Sequence, residues 1–137
     1  MQWRVHSKDT KHRWALRYFV SIPFIMLPLV PTIILDVVIQ IYHSVCFRLY
    51  GIALVDRSRY VIFDRAKLPY LTWYEKLYCF YCSYVNGVIA YGSRVAGDTE
   101  DYWCGIKHKG FVGFVEPPHQ KSFVPYGDEA AFHERYG

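Results

Sequence analysis

Cys79 and Cys82 stand three residues apart in "CFYC", and Cys104 and His108 stand four apart in "WCGIKH". Thiolates and an imidazole at these separations are the ligand set of a tetrahedral Cys3His zinc site, written here as C-x2-C-x21-C-x3-H. The same three thiolates and imidazole would also serve an iron–sulfur cluster. A third reading is a redox dithiol at Cys79/Cys82. That chemistry needs a thiol near a helix start, where the dipole stabilises the thiolate. Here Cys79 falls about two turns inside a helix, where the dipole's effect has faded. The bland alternative is a set of small buried residues. No residue is singled out as catalytic, since the chain has no phosphate loop, no G-x-S-x-G and no H-E-x-x-H.

Two helices must carry these pairs. "TWYE" places Thr72 as N-cap and Glu75 three residues on, a capping box that starts a helix at Trp73. The pattern predicts that it ends near Ala96, with "GDTED" as a break. Asp98 or Thr99 then caps a second helix bearing Cys104 and His108. An antiparallel pair of this kind brings the four ligands together, and the metal clasps a domain too small to build a large core. Upstream, "IALV" and "YVIF" around "DRSR" predict a short hairpin. Downstream, Asp128 caps a short helix after Gly127. His119 and His133 show no evident partner in the sequence.

Residues 18–35, "YFVSIPFIMLPLVPTIIL", carry no charge, and the apolar run resumes after Asp36 as far as Tyr42. Eighteen such residues suffice for a membrane candidate. Pro23, Pro28 and Pro31 make one straight helix difficult, leaving a kinked span or a re-entrant hairpin. Basic residues flank the run on both sides: Arg4, Lys8, Lys11, Arg13 and Arg17 before it, and Arg48, Arg57, Arg59, Arg65, Lys67 and Lys76 after it. Basic flanks mark the cytoplasmic side, so both ends are expected there and the hairpin is favoured. Ile34, Val37, Val38, Ile41, Val45 and Leu49 recur at helical spacing opposite Asp36, Gln40, His43, Ser44 and Arg48, as on an interfacial helix. The residues expected at the membrane interface are Trp14, Arg17, Tyr18, Asp36, Tyr42 and Arg48.

The totals agree with a divided molecule. The chain has 137 residues, 53% of them hydrophobic, with 13 Tyr, nine Phe and four Trp, and a net charge of +4. Aromatic side chains with a polar tip favour membrane–water boundaries. The basic residues are split by a greasy segment, which fits anionic headgroups and argues against nucleic acid. The N-terminus lacks the pattern of a cleaved export signal, so the four cysteines are expected in a reducing compartment, where Cys/His clusters hold metal.

The segments "DRAKLPYLTWYEKLYCFYCSYVNGVIAY" and "EDYWCGIKHK" resemble those of small bacterial membrane-associated proteins with a CxxC…WCxxKH pattern. That resemblance implies a bacterial inner-membrane setting and brings no activity with it. The expected protein is mainly α. It has a basic arm at 1–17, a membrane-embedded or re-entrant helical segment at 18–50, and a cytoplasmic-face metal domain at 51–137 with an irregular tail. Its expected role is that of an accessory or assembly subunit of a larger membrane complex, with zinc as a structural metal. The alternatives are an iron–sulfur electron carrier or a dithiol oxidoreductase.

Overall fold

The computed structural model describes the backbone of residues 11–137 and the side chains from Arg17 onward, Tyr18 excepted. Four α-helices make up most of it: α1 (Lys11–Met26), α2 (Leu29–Tyr50), α3 (Trp73–Cys104) and α4 (Glu129–Tyr136). The prolines interrupt the apolar segment without reversing it. Pro28 keeps right-handed helical angles, and the Leu27 and Thr32 amides still donate one turn back, to the carbonyls of Pro23 and Pro28. Phe19–Tyr50 therefore reads as one interrupted helix, long and apolar enough by length and composition to cross a membrane. The re-entrant hairpin expected from the flanking charges is not the geometry of these residues.

α3 runs parallel to α2. Tyr81 donates to the Ile25 carbonyl, Tyr84 reaches Asp36, Tyr42 meets Thr99, and Tyr50 stacks on Tyr102. Two parallel helices need a return path, and the connector 51–72 supplies it. Gly51 ends α2 at φ 69°, a left-handed angle that glycine adopts without steric cost. The chain then runs back along one side of the helix pair. Its Ile52, Val55 and Tyr60 pack on a small core of Phe47, Tyr91 and Val95. Gly87 lets the connector approach, because a Cβ there would lie 2.7 Å from the Tyr60 carbonyl oxygen and 2.8 Å from Val61 Cα.

This path replaces the expected hairpin. Among the described residues the only β pairing is an isolated bridge between Ile106 and Val124. "IALV" and "YVIF" do not pair with each other, because their buried side chains face the helices. "DRSR" forms a single 3-10 turn, with the Ser58 amide donating to Asp56 at 3.0 Å.

The expected break at "GDTED" is also absent, and α3 passes straight through it. Each polar side chain there finds a partner that keeps the backbone helical. Asp98 accepts from Arg94 one turn back, and the Thr99 hydroxyl donates to the Val95 carbonyl. The capping box at the other end does form, with Glu75 accepting from the Thr72 amide at 2.9 Å and the Thr72 hydroxyl at 2.7 Å. The tail docks on the C-terminal third of α3, and Asp128 caps α4 through the Ala131 amide.

Candidate functional site

The four expected metal ligands do not meet. Cys79, Cys82 and Cys104 all lie on the unbroken α3. Cys82 and Cys104 are 22 residues apart on it, and at 1.5 Å per residue that is about 33 Å. His108 lies only four residues beyond Cys104 and has its ring beside Phe114, so it cannot close that gap. No group of three or more His, Cys, Asp or Glu among the described residues is placed to hold a metal ion. Cys79 and Cys82 remain one helical turn apart as free cysteines, the first half-buried and the second exposed. No clasp is shown among the described residues, because the break that would fold Cys104 back toward Cys79 is helix.

What the fold does assemble is a charge cluster at the middle of the apolar helix. Asp36 is 4% exposed. Its Oδ1 accepts from Arg57 Nε and Gln40 Nε2, each at 3.0 Å. Its Oδ2 accepts from Arg57 Nη2 at 2.6 Å and the Tyr84 hydroxyl at 3.0 Å. The fork of the guanidinium fits both carboxylate oxygens at once. The carboxylate in turn holds the Arg57 guanidinium above its ordinary pKa. Two turns along α2, buried His43 accepts the Val55 amide through Nε2 at 2.8 Å. The connector is thus fastened to α2 by one ion pair and one backbone hydrogen bond. Four donors occupy both oxygens of Asp36, so the group acts as a clamp; no lone pair is presented to a substrate.

No family model matches the chain, and neither the curated proteins nor the solved structures supply a relative.

The expected interface residues divide. Arg17 and Arg48 are exposed, whereas Asp36 is buried and Tyr42 is half-buried against Thr99. The side chains of Trp14 and Tyr18 lie outside the described residues. The sequence did hold a signal for Asp36: it is the single Asp, Glu, Lys or Arg between Arg17 and Arg48. A lone acid in an apolar run needs a partner. Its partner lay 21 residues on, in a stretch read as a hairpin turn.

A second polar cluster docks the tail. Glu100 accepts from Gln120 Nε2 at 2.8 Å and pairs with His119 Nε2 at 2.8 Å. Arg135 bridges Asp101 and the Ser122 carbonyl, both at 2.6 Å. Gly97 admits the His119 ring, since a Cβ there would sit 2.8 Å from its Cγ. Asp98, expected as a helix cap, instead serves Arg94, while Glu100 and Asp101 serve the tail and α4. His119, expected to stand alone, has Glu100.

Proposed function

We propose that the protein is a small membrane-anchored accessory or assembly subunit of a larger membrane complex, seated on the cytoplasmic face of a bacterial inner membrane. One observation carries the anchoring. Between Thr32 and His43, α2 buries three of its four polar residues and leaves most of its apolar residues exposed. Thr32, Asp36 and His43 are buried, while Ile34, Val38 and Ile41 are each more than half exposed. A water-soluble helix does the reverse. Contiguous apolar surface of this extent is what membrane or partner contacts cover. The basic flanks support the cytoplasmic side.

The subunit role is supported by the aromatic group at the shared C-terminal end of α2 and α3. Tyr102 stacks on Tyr50 and Trp103 meets both rings edge-to-face, yet Trp103 stays 64% exposed. Rigid exposed Trp and Tyr are the side chains that anchor protein interfaces. The four-ligand metal clasp is not part of this reading, because α3 holds its halves apart.

Two measurements test the proposal. Washing native membranes at high pH should leave the chain in the pellet; release into the wash would remove the anchor. A photocrosslinker in place of Trp103 should yield one discrete heavier adduct in native membranes. An anchored chain that yields no adduct would remove the subunit role and leave the anchor standing.

A further inference from the structure

Any upright placement of the apolar helix meets an obstacle in the chain's own connector. The Asp36–Arg57 pair fixes Arg57 level with the middle of Phe19–Tyr50. Beside it the Asp56 and Arg59 side chains are 57% and 82% exposed and form only a loose pair at 3.5 Å. Toward the N-terminal end of the helices, exposed Asp64 and Arg65 line one pocket with Cys82, Ser83 and Asn86. That part of α3 lies beside residues 25–36, because Tyr81 reaches Ile25 and Tyr84 reaches Asp36. An upright lone chain would therefore place four exposed charges at hydrocarbon depth. Charged side chains at that depth are costly to insert. It would also expose to lipid the irregular backbone of the connector, which lipid does not tolerate.

The charges share one side of the molecule. The connector lies on one side of the α2/α3 pair and carries Arg57, Arg59, Arg65 and Lys67 against Asp56 and Asp64. On the other side an open, mainly apolar groove runs between the helices, lined by Leu35, Ile39, Ile89, Ala96 and Trp103, with Glu100, which pairs with His119 and Gln120, also in its lining. It continues into the outer face of α2. A helix about 10 Å across fits within one leaflet, roughly half of a 30 Å hydrocarbon core.

We propose that the helix pair lies along the membrane surface, immersed in one leaflet with groove and outer α2 face downward, and with its basic connector among anionic lipid headgroups. This rests on the membrane anchoring proposed above. Arg48, near the end of α2, reaches the headgroups by extending its stem along the apolar surface.

The test uses the full chain in sealed vesicles, with an impermeant maleimide and the labelled peptides identified by mass spectrometry, so the native cysteines stay in place. Ser58→Cys and Lys67→Cys, both on the connector, should label from the same side as Gly137→Cys and without detergent. Val38→Cys, on the outer face of α2, should resist until detergent is added. Two connector positions are used so that one misfolded variant does not decide the result. Connector labelling that requires detergent would overturn the in-plane arrangement, whether lipid or a covering protein shields the site. Flotation separates the two proposals: a chain that floats with vesicles but shields its connector keeps the anchor and loses the orientation. A chain that does not float loses the anchor itself. Phosphatidylcholine vesicles with phosphatidylglycerol should bind more than those without it. Joint replacement of Arg59, Arg65 and Lys67 by Gln should abolish that preference; equal binding to both vesicle types by the parent would overturn the headgroup contact.

Discussion

Replacing Arg57 by Met removes the group that holds the connector to α2. Asp36 loses two of its four donors and keeps Gln40 and Tyr84. Breaking a fully buried ion pair by deleting one partner costs about 3–5 kcal/mol, because the remaining charge is left uncompensated. Here the Arg57 side chain is 33% exposed while that of Asp36 is 6% exposed. Water reaches one partner, which lowers the expected cost to about 2–3 kcal/mol. The effect is local, since the connector can lift while α2 and α3 stay helical. Trypsin cleavage at Arg59 reads that opening when reclosing is fast relative to cleavage. The rate for Arg57→Met should rise roughly 30- to 150-fold, the factor corresponding to 2–3 kcal/mol at about 1.4 kcal/mol per tenfold. The double variant Asp36→Leu with Arg57→Met should recover most of the loss, since a packed apolar pair replaces a buried ionic one at little cost. A rise of less than about threefold for Arg57→Met would refute the clamp as the connector's fastening, because connector opening would then be limited by something else.

Other consequences follow from the same contacts. Gly87→Ala should destabilise the fold by about 1–3 kcal/mol in denaturant melts, because the added Cβ meets connector backbone, which cannot rotate away. Glu100→Ala should free the tail, and limited proteolysis should then cut between residues 105 and 128 while α3 persists. Cobalt titration of the monomeric chain should give no three-thiolate charge-transfer band at one metal per chain; such a band would mean that α3 bends enough to join Cys82 and Cys104. The Ser58 hydroxyl and amide hold the Asp56 carboxyl below its ordinary pKa. Asp56 therefore contributes stability above its unfolded pKa of about 3.8 and loses it as pH falls through the lower folded value. Ser58→Ala should raise that folded value toward 3.8 in a carboxyl titration followed by NMR.

Local signals carried the element starts, and long-range ones were missed. Thr72 with Glu75, and Asp128 after Gly127, announced their helices because capping is settled within four residues. The apolar run announced α2 by length alone. "GDTED" misled because glycine weakens a helix interior, and Asp98 and Thr99 break helices when their side chains bond the backbone at a terminus. Here Arg94, the Val95 carbonyl and the incoming His119 give them partners inside a helix. That one misreading produced the metal clasp, since convergence of Cys79, Cys82, Cys104 and His108 depended on a turn there. The connector misled in a similar way. Two β-branched runs around a charged turn have the pattern of a hairpin, but parallel α2 and α3 offered them a better surface. Asp36 was legible as an anomaly, and only the tertiary path of the connector could supply Arg57.

The account rests on α2 facing lipid with its apolar side and protein with its polar side. Nitroxide scanning of residues 30–45 in reconstituted vesicles, reading oxygen against a water-soluble nickel complex, tests this most directly. Collision with oxygen should peak at Ile34, Val38 and Ile41 with helical period, collision with nickel should stay low there, and both should fall at Asp36 and His43. High nickel accessibility at Ile34, Val38 and Ile41 would place that face in water and contradict the account.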